Sequence, residues 1–174
     1  MPLTAKYPKP MVLINGKPFI KIIIEYLSKQ GINEFLILTG YKSKIIENYF
    51  KDDTSVKILK GDLNYETGMR LMMAWKKNLL KKNFFLLYCD NFCKINYKSL
   101  LKKYYSFKKS ILMTVYNNKK GFGEYGKKNN IVYDQKSHLI KKYNTIFQLK
   151  PENSTDIGIF IIDKKIFRSF KENK

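Results

Sequence analysis

Three features of this 174-residue chain predict an α/β fold with a doubly wound, mostly parallel sheet. Segments with apolar residues at helical spacing alternate with short apolar runs between residues 19 and 117. Several of those runs are apolar on both faces, as strands are when helices cover them above and below. One of them, "FFLLYC", leads directly into Asp90, and the carboxyl ends of strands are where such sheets bind ligands.

Each element has its own signals. "PFIKIIIEYLSKQG" places Phe19, Ile20, Ile23, Ile24 and Leu27 on one helical face and stops at Gly31, a residue suited to a helix C-terminus. "NEFLILTG" reads as a buried parallel strand over Phe35 to Leu38. "KSKIIENYF" is a short amphipathic helix, capped by Ser43 or by the loop before it. "SVKILKG" is a strand, and "TGMRLMMAWKKNLL" is a helix with an apolar stripe of Met69, Leu71, Met72, Trp75 and Leu79. "NFFLLYCDN" is a strand ending in an acid, "YKSLLKKYYSF" a helix and "SILMTVY" a strand. "NNKKGFGEYGKKNN" is polar and contains glycine, so it reads as a loop or wide turn. "NIVYD" and "HLIKKY" form a small hairpin around "QKS". "STDIGIFIID" is a further strand and "KKIFRSF" begins a helix. There is no internal repeat and no linker, so residues 1–174 are expected to form one domain.

Composition narrows the function classes. A hydrophobic fraction of 44%, with 13 tyrosines and 12 phenylalanines, predicts a packed globule and not a disordered chain. No apolar run reaches the roughly 18 residues that spanning a bilayer needs. No charged segment followed by an apolar stretch marks a secretory leader. The expected location is the cytoplasm, without membrane insertion. The formal charge of +20 invites a polyanion, yet Arg70 and Arg168 are the only arginines among 34 basic residues. Phosphate-reading proteins favour arginine for its bidentate fork. Lysine spread along the whole chain, with Ala5 and Ala74 as the only alanines, reads as an AT-rich coding bias on solvated faces. No specific nucleic-acid partner is expected. Cys89 and Cys93, with the lone His138 far along the chain, are too few ligands for a closed zinc site and read as reduced thiols.

Three places could carry chemistry. Asp90, at the end of an apolar strand, could hold a magnesium ion, which takes one or two carboxylates and fills its shell with phosphate oxygens and water. It could equally cap the following turn. Lys9 stands between Pro8 and Pro10, whose rings fix the backbone, an arrangement suited to aiming a cation at phosphate. Thr67-Gly68 open a helix whose unpaired N–H groups suit an anion or a sugar hydroxyl, although Thr67 would also serve as a plain cap.

Taken in order, "PLTAKYPKPMVLINGKP", "GINEFLILTGYKSKIIENYF", "ETG" opening a helix, "FLLYCDN" and "STDIGIFIID" resemble the sugar-1-phosphate nucleotidyltransferases. The nearest branch is that of heptose-1-phosphate guanylyltransferases and glucose-1-phosphate cytidylyltransferases. The resemblance runs over essentially the whole chain. It implies a Rossmann-like fold of the nucleotide-diphospho-sugar transferase type, and transfer of a nucleoside monophosphate from a nucleoside triphosphate to a sugar 1-phosphate. By position, Asp90 matches the family's Mg2+-binding aspartate and Lys9 the lysine that meets phosphate in the transition state. Thr67 and Gly68 match the loop over base and sugar, Asn91 follows the metal acid, and Asp156 falls on the sugar side.

The resemblance also exposes departures. The family carries a first strand and a glycine-rich, arginine-bearing loop ahead of "PLT…PKP", and a second metal-binding aspartate beyond "DIGIFIID". Neither matches a segment of this sequence. Asn144 and Thr145 stand where an acid–lysine pair is usual, with Lys141 or Lys142 as substitutes, and Met69 replaces a second glycine. The domain is therefore expected to be truncated, with two unpaired strand edges in mid-sheet, weak stability and little turnover on its own. A catalytically inactive remnant that binds only nucleotide or a partner protein is the alternative reading.

Overall fold

The computed structural model describes residues 6–118, 120, 129–148 and 153–170. It opens with a 3-10 turn over Lys9–Met11. Pro8 is buried, Met11 sinks into the core, and the Met11 N–H donates to the Pro8 carbonyl at 2.8 Å. That anchoring leaves Lys9 outside. A tight hairpin follows, β1 (Leu13–Ile14) and β2 (Lys17–Pro18), turned by Asn15 and Gly16. Both turn residues have positive φ, 50° and 78°, which an Asn-Gly pair adopts readily.

The main body is α1 (Phe19–Ser28), β3 (Phe35–Thr39), α2 (Ser43–Tyr49), β4 (Val56–Lys60), α3 (Thr67–Lys76), β5 (Asn83–Leu87), α4 (Tyr97–Phe107) and β6 (Ile111–Asn117). Then come β7 (Asn129–Asp134), β8 (Leu139–Gln148) and β9 (Ser154–Asp163), followed by a 3-10 turn over Lys164–Ser169 where a helix is expected from sequence. The polar stretch before β7 lies largely outside the described residues.

The α/β arrangement is present, with mixed pairing. β3 and β4 pair in parallel, from Phe35↔Val56 to Thr39↔Lys60. β9 runs antiparallel to β5 on one side and to β6 on the other, so β5 and β6 point the same way with α4 crossing between them. β7 joins β9 and β8, completing the hairpin unit. Side chains alternate across the layer, as strand geometry requires. Phe35, Phe85 and Leu87 pack on Ile23 and Leu27 of α1 and on Tyr97 of α4. Leu36, Leu38, Phe84 and Leu86 pack on Leu71 and Ala74 of α3 and on Phe167. Helices thus cover both faces.

The α3 stripe differs from its sequence reading at both ends. Met69 is 52% exposed and Leu79 38% exposed, while Leu71 and Ala74 are buried. The helix ends at Lys76 and Asn78 takes a positive φ of 54°, so Leu79 no longer follows the helical period. Met69 lies in the first turn of the helix.

Candidate active site

The site forms where β3 and β5 end. Lys9 Nζ lies 3.9 Å from Asp90 Oδ2, with the two side chains 70% and 52% exposed. Residues 81 positions apart meet because β5 carries Asp90 to the same end of the layer that the Pro8–Met11 turn occupies. Thr67 lines the same cavity as Lys9 and Asp90. The preceding residue, Glu66, occupies the cap position of α3 without a side-chain cap bond, so Thr67 does not serve as the cap. The first N–H groups of α3 therefore keep their capacity for an anion. A Cβ added at Gly68 would meet nothing within 4 Å, so Gly68 leaves space at the helix entrance.

Asn91 and Asp156 stand beside this group and do not line the cavity. The Asn91 side-chain amide donates to the Ile157 carbonyl at 3.3 Å, tying the loop after β5 to β9. Asp156 has both oxygens engaged: Oδ1 accepts from the Gly158 N–H at 2.6 Å and Oδ2 from the Tyr143 hydroxyl at 3.0 Å. Its own N–H donates to Asn130 Oδ1 at 3.0 Å. Burial, together with the negative charge of Asp156, pushes the Tyr143 hydroxyl well above the usual phenol range. Tyr143 therefore stays protonated and donates.

Tyr88 links the two halves. Burial raises its hydroxyl first, then the charges of Asp156 and Asp90. Its N–H donates to the Gly158 carbonyl at 2.9 Å. Gly158 has φ of +73°, and a Cβ there would fall 2.7 Å from the Tyr88 ring. Gly158→Ala combines left-handed strain with a clash, so it is expected to destabilise by about 2 kcal/mol. In a domain of this size that reads as a melting-temperature drop on the order of 5 °C, measured by circular dichroism.

Arg70 sets the position of α3. Its guanidinium donates to the Asp62 carbonyl at 2.9 Å and to the Thr39 carbonyl, and Nε donates to the Tyr65 carbonyl at 2.9 Å. It thus ties the helix that bears Thr67 to the end of β3. Gly40 makes room: a Cβ there would lie 2.5 Å from Nη2. Arg70, Tyr88 and Tyr143 went unread in the sequence as site residues. The one available signal was an arginine in a chain that otherwise uses lysine almost throughout.

The arrangement offers a cation, a carboxylate and an open helix N-terminus around one cavity end. It lacks a cysteine nucleophile: burial, then Asp90, raises the Cys89 thiol to about 11, so it is neutral at physiological pH. No group of three or more His, Cys, Asp or Glu gathers among the described residues, so a metal here would draw most ligands from substrate and water. Asp90 suits that role, being half exposed and only loosely paired with Lys9. Among the described residues no helix is long and apolar enough to cross a membrane.

Comparison with known proteins bears on the family and the fold. Residues 1–172 match the family described as Nucleotidyl transferase. The chain is 31% identical over 166 residues to a D-glycero-alpha-D-manno-heptose 1-phosphate guanylyltransferase of Campylobacter jejuni, covering 94% of this chain and 70% of that protein. It is 30% identical over 177 residues to the bifunctional protein GlmU of Methanocaldococcus jannaschii, covering 99% of this chain and 39% of that one. In three dimensions it superimposes on HddC from Yersinia pseudotuberculosis, solved with GMP-PN, with a TM-score of 0.70 at 23% identity over 96% of this chain and 72% of that one. The inositol-1-phosphate CTP transferase of T. maritima gives 0.73 at 19% identity, over 99% of this chain and 68% of that one. At these identities the two structures establish the fold.

Proposed function

Because the chain belongs to the nucleotidyl transferase family, we propose that it transfers a nucleoside monophosphate from a nucleoside triphosphate to a sugar 1-phosphate, giving a nucleotide sugar and pyrophosphate. The observation that carries the residue assignment is the meeting of Lys9 and Asp90 beside the open N-terminus of α3. An oxygen of the sugar phosphate attacks the α-phosphorus. The bond from that phosphorus to the bridging oxygen breaks, and its electron pair leaves on pyrophosphate. Such a transfer needs positioning and charge neutralisation more than covalent help.

Lys9 is held outward by its buried flanks and neutralises charge on the transferring phosphate. Asp90 would hold Mg2+, which when bound supplies further neutralisation of the triphosphate oxygens. Thr67 and Gly68 form the ledge for nucleoside or phosphate, with the room that Gly68 leaves. Asn91 fixes the loop after β5 against β9. Asp156, oriented by Tyr143, faces the sugar side. In this reading residues 1–174 form one nucleotidyltransferase domain, working in the cytoplasm where nucleoside triphosphates are made, and feeding a cell-surface polysaccharide. The assay is pyrophosphate release across the four common triphosphates and a panel of sugar 1-phosphates. One pair should exceed the others and require both substrates. Triphosphate hydrolysis indifferent to the sugar phosphate would overturn the proposal.

A further inference from the structure

The charge of the chain is not spread evenly over its surface. Residues 97–111, which span α4 and the turn after it, hold five lysines and no acid. The inner side of α4 carries Tyr97 and Tyr104, both buried, and Leu100, packed in the cluster with Ile159. The helical period therefore puts Lys98, Lys102, Lys103 and Lys109 on the outer side, where all four are exposed. Among the described residues none of the five lysines makes an ion pair. Lysines on other elements find acids: Lys17 meets Glu25 at 2.8 Å, Lys21 meets Asp53 at 3.1 Å and Lys81 meets Glu34 at 2.9 Å. Asp163, whose charge acts on Tyr104 of α4, has a side chain only 13% exposed and accepts from the Lys165 N–H at 2.8 Å.

Gathering like charge on one helix is unfavourable. Lys98 and Lys102 stand one turn apart and repel, and Lys98 in the first turn opposes the helix dipole. An anionic surface laid along α4 removes both costs. The basic face continues onto the hairpin of β7 and β8. The rings of Phe107 and His138 lie 5.7 Å apart, and the Tyr133 hydroxyl meets His138 Nδ1 at 2.7 Å. That contact brings the hairpin's exposed Lys136 and Lys141 to the C-terminal end of α4. Asp134, in the same turn, accepts from the Ser137 hydroxyl at 2.7 Å and from the Lys136 N–H at 3.0 Å. Large apolar side chains stand among these lysines. Tyr105 is 58% exposed and Phe107 41% exposed, and Ile111, Leu139 and Ile140 are exposed as well.

A partner for this face must be broad, anionic and able to take apolar side chains between its charges. Nucleic acid offers the charge, but phosphate readers favour the arginine fork. Both arginines lie elsewhere: Arg70 is engaged with backbone carbonyls, and Arg168 is in the closing 3-10 turn. Ile111, Leu139 and Ile140 also give bases nothing to stack on. A bilayer surface with acidic headgroups meets both demands. Lysine needs no fixed geometry to be drawn to it, and aromatic and aliphatic side chains enter the boundary between headgroups and acyl chains. We propose that the outer face of α4, together with the β7–β8 turn, docks the protein on a membrane surface containing acidic lipid. The association is peripheral, with α4 lying along the surface. It is independent of the transfer reaction.

The test is flotation of the full chain with phosphatidylcholine vesicles, with and without about 30 mol% phosphatidylserine, at an ionic strength of about 0.15 M. Binding is expected to the acidic vesicles alone, weakening steeply as salt is added. Lys98→Gln, Lys102→Gln, Lys103→Gln and Lys109→Gln together should weaken it at least about tenfold. Lys44→Gln, Lys57→Gln, Lys60→Gln and Lys77→Gln remove the same charge from α2, β4 and the end of α3. That set should change binding less than about twofold. Both sets fall on exposed positions, so the thermal transition should stay at its wild-type value. Tyr105→Ser removes apolar contact and no charge, and should weaken binding about threefold with the same salt dependence. No binding to the acidic vesicles, or equal losses in the two quadruple variants, would overturn the proposal. So would random-sequence duplex DNA that strips the protein from vesicles at equal phosphate concentration.

Discussion

Asp90→Asn is expected to lower kcat/KM for pyrophosphate release on the order of 10³-fold while leaving the thermal transition unchanged. The first half follows from charge. In the proposed transfer the transition state is stabilised electrostatically, and removing one electrostatic stabiliser from an active site costs about 10² to 10³ in rate. A neutral amide keeps the shape of the side chain and loses the anion that Mg2+ needs. The second half follows from exposure. Asp90 is half exposed and its pairing with Lys9 spans 3.9 Å. Such a surface pair contributes roughly 0–1 kcal/mol. Activity and stability should therefore separate. Equal losses of both would mean that Asp90 is a structural residue, and wild-type activity would remove it from the site.

Lys9→Ala is the second large effect, expected to reduce kcat on the order of 10²-fold with a smaller change in KM. The turn that presents Lys9 is built by its neighbours. Pro8 is buried, Met11 is in the core, and the Met11 N–H closes on the Pro8 carbonyl at 2.8 Å. None of these needs the lysine side chain. Lys9→Arg keeps the charge on a planar, bulkier head and should recover only part of the rate, since a compact ammonium and a guanidinium are not interchangeable. Steady-state kinetics on the three proteins decides it: a change in KM alone would assign Lys9 to ground-state binding.

The sequence made the helices and strands legible where periodicity and punctuation agreed. "YKSLLKKYYSF" is α4 to the residue, and Gly31 follows α1 with a φ of 87°. It was less informative where the outcome depends on distant partners. Nothing local in "STDIGIFIID" says that β9 enters antiparallel between β5 and β6. Met69 has the spacing of a buried residue but is exposed in the fold, an outcome set by tertiary placement. "KKIFRSF" has a helical texture and closes as a 3-10 turn, with Asp163 accepting from the Lys165 N–H and Phe167 alone fully inside.

The candidate site divides in the same way. Lys9 and Asp90 were legible because prolines and a strand end mark them locally, and the structure places them 3.9 Å apart. The roles of Arg70 and Tyr143 depend on bonds to Thr39 and Asp156, residues 31 and 13 positions away. A side chain's partner across the fold leaves no local trace.

In the proposed reaction a sugar phosphate oxygen attacks the α-phosphorus of the triphosphate directly. The most direct measurement is 31P NMR of the products formed from a sugar 1-phosphate labelled with 18O in its phosphate oxygens. Direct attack gives a nucleotide sugar with 18O in the bridge between its two phosphorus atoms, and pyrophosphate without label. Labelled pyrophosphate, or a nucleotide sugar whose bridging oxygen is unlabelled, would contradict it.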